Sequence, residues 1–333
     1  MVNTPKEPHT ILLVGTGSIG QRHTMLLAER RDVDLWLCDT SNACLEQARR
    51  VAPDARVFSD YEQALKAGPQ IVYVCTPHQL HRPMSVAALR AGCHVFCEKP
   101  LAERVDDAAA IVDAAAATQR TLQVGYLMRF HPIVKRLRDM IASGELGTLV
   151  GGRAMVGTYF TLMASRNRFR EPQADALILD YTHQTDYLSL LFGPATRVSA
   201  ECATLGKLEL MQTPNVFAMT IRYDSGAIVQ LHLDYVQYPN RHILELYGDR
   251  RSVHVEFESG ELRSYGHGDE AHRVEHMGVE RNDLMRQQTD AFLKAVSGEG
   301  PVSCTGADGA SVLRVVEAAL QSARELRAVE VAC

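Results

Sequence analysis

Several features are scarce in this chain, and each scarcity removes a class of function. The apolar runs near the start are short, so neither a signal peptide nor a membrane helix is expected. Eight cysteines include no CxxC pair, and His, Cys and Asp do not cluster at ligand spacing, so no metal site is expected. Cys38, Cys75, Cys93 and Cys97 sit in or beside apolar, strand-like runs, as buried reduced thiols of a cytoplasmic protein do. A basic stripe is also missing. The formal net charge is −5, and the Arg-Arg pairs at 30–31, 49–50 and 250–251 are isolated, which argues against nucleic acid as a partner. No internal repeat or low-complexity segment is present.

What remains is the composition of an ordinary soluble globular protein, 46% hydrophobic and 23% charged over 333 residues. That length exceeds what one core usually supports and favours two domains. From Thr10 to about Gly125, strand-like and helix-like segments alternate without a break: TILLV, VDLWLCDT, IVYVCTP, HVFCEKP and TLQVGY are separated by amphipathic stretches. This order predicts a parallel, doubly wound sheet over 1–125. Past Tyr126, a helix over HPIVKRLRDMIASGELG gives way to strands that follow strands, including a hairpin at RYDSGAIVQLH. Helices are expected at Asp180–Phe192, Arg281–Val296 and about Gly309–Leu326. The region 126–333 therefore reads as an α/β domain with an open, mostly antiparallel sheet.

Gly15-Thr16-Gly17-Ser18-Ile19-Gly20 fits G-x-G-x-x-G between a strand and a helix, and Asp39 ends the next strand about twenty residues on. Glycines there allow a tight turn and close approach of a pyrophosphate, and the helix start offers free N–H groups. A carboxylate at Asp39 suits ribose hydroxyls and repels a 2′-phosphate, so NAD(H) is favoured over NADP(H). Asp39 can also serve as a strand-end cap for the helix after it, which is compatible with that role.

Ligands of such sheets lie at the carboxyl ends of the strands. Thr76, Pro77 and His81 of CTPHQLH occupy one such end and are read as cofactor neighbours. Glu98-Lys99-Pro100 occupies another. An apolar strand has no packing reason to end in two opposite charges and a proline. Lys99 is read as an ammonium aimed at the nicotinamide site, with Glu98 orienting it or lining the cofactor.

The stretch CTPHQLHRPMSVAALRAGCHVFCEKPLA resembles the central signature of the Gfo/Idh/MocA oxidoreductases. Together with the glycine fingerprint, GELG at 144–147, DYTHQTDYLSLLFGP at 180–194 and DGASVLRVVEAALQSARE at 308–325, the resemblance covers nearly the whole chain. It implies a Rossmann domain, a C-terminal domain whose open sheet assembles dimers or tetramers, and a last helix returning to the Rossmann domain. It also implies hydride transfer between a nicotinamide and a carbinol carbon of a sugar, sugar acid, nucleotide sugar or cyclitol. Lys99 and His183 match the family's active-site lysine and histidine. Two other readings share this fold: a non-catalytic sugar or cofactor sensor, and an enzyme that uses tightly bound NAD transiently.

Asp180 lies three residues before His183, where one helix face can carry both. Many relatives place this aspartate four residues before, where Leu179 stands here. GYLMRFHP resembles the family's GYNxRF segment and leaves Tyr126, Arg129 and His131 as candidate substrate contacts, with Arg129 alternatively bracing the domains. Arg168, in the arginine-rich segment 158–173, is a candidate for an anionic substrate group.

Overall fold

The computed structural model describes residues 8–159, 161, 175–207, 214–269 and 271–332. Its chain divides into two compact units. Met1–Leu127 with Arg281–Ala310 form the first, and Met128–Glu280 with Ser311–Cys333 the second.

The first unit is built on β1 (His9–Val14), β2 (Val33–Cys38), β3 (Arg56–Phe58), β4 (Ile71–Val74), β5 (His94–Cys97) and β6 (Leu122–Val124). They form one sheet in the order β3-β2-β1-β4-β5-β6, and every pair is parallel. The order reverses between β1 and β4, which makes this the switch point of a doubly wound sheet. Crossovers are made by α1 (Ser18–Ala28), α2 (Asn42–Val51), α3 (Tyr61–Lys66), α4 (His81–Arg90) and α5 (Val105–Thr118). Ile11, Leu12 and Leu13 are fully buried, as are Ile71, Val72 and Tyr73. Both sheet faces are covered, which is why these strands read as continuous apolar runs and not as alternations.

The sequence keeps 126–333 together, yet the first unit also takes in Arg281–Ala310. The reason is packing. A helix after the second sheet, α9 (Arg281–Val296), buries Phe292 and Leu293 in the same core as Leu27, Tyr73 and Phe96. The last helix, α10 (Gly306–Glu325), begins against β6. A Cβ at Gly306 would lie 2.6 Å from a Leu122 methyl, and one at Gly309 would lie 2.9 Å from a Val124 methyl, so a larger residue at either place would have to displace the side chains of β6.

The second unit begins with α6 (Pro132–Ala142) and β7 (Leu149–Gly157), followed by α7 (Ala176–Asp180) and α8 (Thr182–Phe192). Then come β8 (Ala195–Ala203), β9 (Val216–Tyr223), β10 (Ile228–Asp234), β11 (Arg241–Gly248), β12 (Arg251–Glu256), β13 (Glu261–Gly266), β14 (Arg273–His276) and, from the chain's last segment, β15 (Val329–Glu330). They form a nine-stranded sheet, β14-β13-β12-β11-β7-β10-β9-β8-β15. Its pairs are antiparallel except β7 with β10, which is parallel because β10 returns after the β8–β9 excursion. Phe217, Met219, Ile221 and Tyr223 of β9 point into the core, while Ala218, Thr220 and Arg222 point out. The opposite face is open and carries a cavity of about 570 Å³ lined by Met155, Thr220, Gln230, His232 and Ile243, among others.

One expected helix divides. Tyr181 adopts φ −102°, ψ 32°, so Asp180 ends α7 and His183 belongs to α8. The two residues do not share one continuous helix face. Among the described residues, no helix is long and apolar enough to cross a membrane, and no group of His, Cys, Asp and Glu could hold a metal ion.

Candidate active site

In the first unit, the glycine loop joins β1 to α1. Gly15 has φ 88°, and a Cβ on it would lie 2.8 Å from the Cys75 carbonyl and the Thr76 nitrogen. A Cβ on Gly20 would run into the carbonyl oxygen of Gly15. These two glycines are required by the protein's own backbone. Gly17 is different. It is the N-cap of α1, no side chain caps the helix, and a Cβ on it would meet nothing within 4 Å. Open space over uncapped N–H groups is the cradle a pyrophosphate needs. Ser18 and Ile19 supply the first turn of that helix.

Asp39 closes the loop from the side. Its Oδ2 accepts from the Thr16 N–H at 2.6 Å and the Thr16 hydroxyl at 3.0 Å, and its Oδ1 accepts from the Ser41 N–H at 2.8 Å. A carboxylate can accept about four hydrogen bonds, so capacity remains for a ribose hydroxyl. The Gln21 amide ties the same loop to α2, donating to the carbonyls of Thr16 (2.8 Å) and Cys44 (2.9 Å). The residues present fit a dinucleotide.

At the end of β4, the Thr76 hydroxyl is shut off from solvent and has no hydrogen-bond partner among the described residues, while Pro77 is exposed. His81 does not take the cofactor-facing position that its spacing suggests. It is fully buried, with Nε2 2.9 Å from the Thr76 oxygen and Nδ1 2.8 Å from the Pro100 oxygen. Its ring therefore staples the turn after β4 to the turn that carries Lys99. Burial lowers its pKa, and the two carbonyl contacts offset part of that effect.

Glu98 is also internal, 7% exposed. Its Oε1 lies 2.7 Å from His23 Nε2, and its Oε2 accepts from the Lys99 backbone N–H at 3.1 Å. Burial alone would raise its pKa. The hydrogen bond and charge of His23, the Lys99 ammonium and the Lys99 N–H outweigh that, so the carboxyl titrates below its usual range. Glu98 thus fixes the main chain of Lys99. Lys99 itself is half-buried, and its peptide bond to Pro100 is cis.

In the second unit, His183 is half-buried on the first turn of α8. Asp180 accepts a 2.7 Å hydrogen bond from the Tyr235 hydroxyl. The residues read as substrate contacts are engaged otherwise. Arg129 forks onto Asp186, with Nε 3.0 Å from both carboxylate oxygens and Nη2 2.7 Å from Oδ1, and Asp186 is fully buried. That pair anchors α8 one turn beyond His183 and commits Nε and Nη2 of Arg129 to a buried carboxylate. His131 caps α6, its Nδ1 accepting from the Ile133 N–H at 3.2 Å, with its ring edge-on to Phe257. Tyr126, in the first unit, is fully buried. With its amide turned to satisfy both ends, the side-chain oxygen of Gln288 holds its turn by accepting from the N–H groups of Tyr126 (3.2 Å) and Leu127 (3.3 Å). Arg168 lies outside the described residues.

A parallel sheet with an open glycine cradle at its switch point, a carboxylate held beside that cradle and a lysine at a strand end define a dinucleotide-binding oxidoreductase. The chain belongs to the Gfo/Idh/MocA family. Residues 9–126 match its oxidoreductase-family, NAD-binding Rossmann fold description, and residues 138–331 match its C-terminal alpha/beta domain. The chain is 30% identical over 262 residues to 1,5-anhydro-D-fructose reductase of Ensifer adhaerens, covering 74% of this chain and 77% of that protein. It is 38% identical over 137 residues to inositol 2-dehydrogenase of Paracoccus denitrificans, covering 39% and 40% of the two chains. Among solved structures, levoglucosan dehydrogenase in complex with NADH and levoglucosan superposes with a TM-score of 0.88 at 22% identity, covering 98% of this chain and all of that one. This likeness is one of fold.

Proposed function

We propose that this protein is an NAD(H)-dependent dehydrogenase or reductase that acts on a carbinol or carbonyl carbon of a sugar, sugar acid, nucleotide sugar or cyclitol. The observation that carries the reading is the pair of Asp39 and Gly17: an open cradle for phosphates, with a carboxylate locked by Thr16 and Ser41 beside it. A carboxylate so held cannot swing away from a 2′-phosphate, which favours NAD(H) over NADP(H). A bound nicotinamide supplies the hydride acceptor in one direction and the hydride donor in the other.

The side chains divide the remaining work. His183 takes the substrate hydroxyl proton during oxidation and returns it during reduction, since imidazole titrates near working pH. The Lys99 ammonium donates a hydrogen bond to the same oxygen and stabilises the negative charge that develops there. Glu98 and His81 fix the main chain on either side of Lys99, so that donor costs little to place. Asp180 orients the imidazole or binds a neighbouring substrate hydroxyl. The open face of the nine-stranded sheet, on which Ile228 is exposed, supports assembly into a homodimer or homotetramer.

The test is a panel of sugars, uronic acids, nucleotide sugars and inositols, followed by NADH absorbance with NAD and with NADP. A hit that prefers NAD and disappears in Lys99→Ala and His183→Ala, both still binding NADH, supports the reading. Full turnover in either variant removes that residue from the mechanism.

A further inference from the structure

We infer that Tyr235 is a positioning residue that sets the direction of the Asp180 carboxylate beside His183. The inference rests on the proposed role of Asp180. It goes beyond that role by naming the group through which the carboxylate is held, a group with no motif of its own.

The backbone on either side of Asp180 leaves its direction open. Asp180 ends α7, and the non-helical Tyr181 separates it from α8, so the helical register of His183 does not carry over to it. An outside group has to supply the direction. Tyr235 directly follows β10 and is fully buried. Its hydroxyl donates to Asp180 Oδ2 at 2.7 Å, and its ring lies 5.7 Å from that of Tyr181.

The phenol comes from a rigid support. The Tyr235 N–H donates to the Asn215 carbonyl at 3.1 Å. Asn215 is itself fully buried and clamps Leu205 through two hydrogen bonds, of 2.7 and 3.0 Å. On the other side, Asp234 Oδ1 accepts from the N–H groups of Val236 and Gln237 at 2.9 Å each. Its Oδ2 is contacted by His232 at 2.9 Å and Gln237 at 2.6 Å. The turn after β10 is thereby fixed on both flanks of Tyr235. A tyrosine has only two side-chain torsions, so a fixed backbone delivers its hydroxyl to one place at low entropic cost. The phenol is also neutral. It holds Oδ2 without cancelling the carboxylate charge.

Tyr235→Phe removes one oxygen and keeps the ring. With a substrate found by the panel, this variant is expected to lose on the order of tenfold in kcat with KM within about threefold, at unchanged NADH affinity and with at most a modest fall in melting temperature. Asp180→Asn is expected to lose more. Adding Tyr235→Phe to it should cost almost nothing further, a coupling of about 1.4 kcal/mol for the tenfold effect. Parental kcat in Tyr235→Phe, or an undiminished tenfold loss when it is added to Asp180→Asn, overturns the inference. Full activity of Asp180→Asn removes the role of Asp180 itself, a different failure. A measurement free of turnover is the ¹³Cζ resonance of Tyr235 in tyrosine-labelled protein. Asp180→Asn should move it, and an unmoved resonance counts against the contact.

Discussion

His23 Nε2 and Glu98 Oε1 meet at 2.7 Å where almost no solvent reaches either side chain. His23 belongs to α1, the helix whose start forms the phosphate cradle, and Glu98 ends the strand that carries Lys99. Tyr73 and Phe96 pack edge-on around the imidazole. The pair thus ties the cofactor helix to the main chain of the lysine. Breaking a buried pair by removing one partner strands the other, at a cost of about 3–5 kcal/mol. Glu98→Ala should therefore lower the urea midpoint strongly, and Glu98→Gln, which keeps a hydrogen-bond acceptor, should lower it less. Equal midpoints for Glu98→Ala and the parent would refute this.

Histidines held in poorly solvated places, among them the buried His131 and the half-buried His242, make the fold acid-sensitive. Burial drives His131 down to about 4, and burial together with the nearby His131 charge drives His242 down to about 3. An unfolded histidine binds its proton near pH 6.5. Between that pH and about 4, the unfolded state therefore holds protons that the native state does not, and stability falls as pH falls. Each histidine contributes a slope of at most about 1.4 kcal/mol per pH unit. Glu98 adds its own loss at lower pH, because its depressed carboxyl stabilises the fold only while ionised. A melting temperature that drops from pH 7 to pH 5, with a shallower drop in His242→Phe, is the expected result. A flat profile would count against it.

Gly17 and Gly20 should fail in different ways. Gly20→Ala drives a methyl into the Gly15 carbonyl and should lower the melting temperature along with cofactor binding. Gly17→Ala meets no protein atom and should cost about 1 kcal/mol or less in stability, the N-cap difference between Gly and Ala. It should still weaken NADH binding by about tenfold or more, since the methyl occupies the space over the helix start. Calorimetric titration beside a thermal melt separates the two.

Arg129 should prove a structural residue of the second unit. Its planar fork matches the buried Asp186 carboxylate, and lysine cannot reproduce that geometry. Lysine keeps the charge but loses the fork, so Arg129→Lys is expected to destabilise by less than the about 3–5 kcal/mol of a pair broken outright. A selective rise in KM at parental stability would instead restore a substrate role.

Asp39→Ser should raise the NADP to NAD preference by at least about tenfold, because it removes the charge opposed to a 2′-phosphate. It also releases Thr16, which is bound to that carboxylate twice. An unchanged cofactor ratio would show that selectivity resides elsewhere.

The parallel unit was legible because its signals are local. The apolar run of β1, the glycines after it and Asp39 at the end of β2 each carry their own spacing. The second sheet was legible as strands after strands, but its single parallel pair was not, since register between β7 and β10 is set across some seventy residues. The site was harder to read. His81 and Glu98 look like ligand contacts because they occupy strand ends, and nothing in sequence shows that their partners are the Pro100 carbonyl and His23. Arg129 and Asp186 lie 57 positions apart, as far as any pair of surface charges might. Asp180 was placed on the helix of His183 by spacing alone, and the break at Tyr181 follows from packing against Tyr235 and Thr161. Tyr235 itself sits at the end of an ordinary alternating strand with no flanking motif.

The two residues of β15 shield one border of the second sheet. Val329 and Glu330 pair with Val198 and Arg197, and Val329 is buried. They cover part of an outer strand whose N–H and C=O groups would otherwise template a foreign strand. Removing residues 329–332 should therefore leave the glycine cradle and Lys99 untouched while turning β8 into an adhesive border, so that the shortened protein keeps its affinity for NADH yet self-associates on standing.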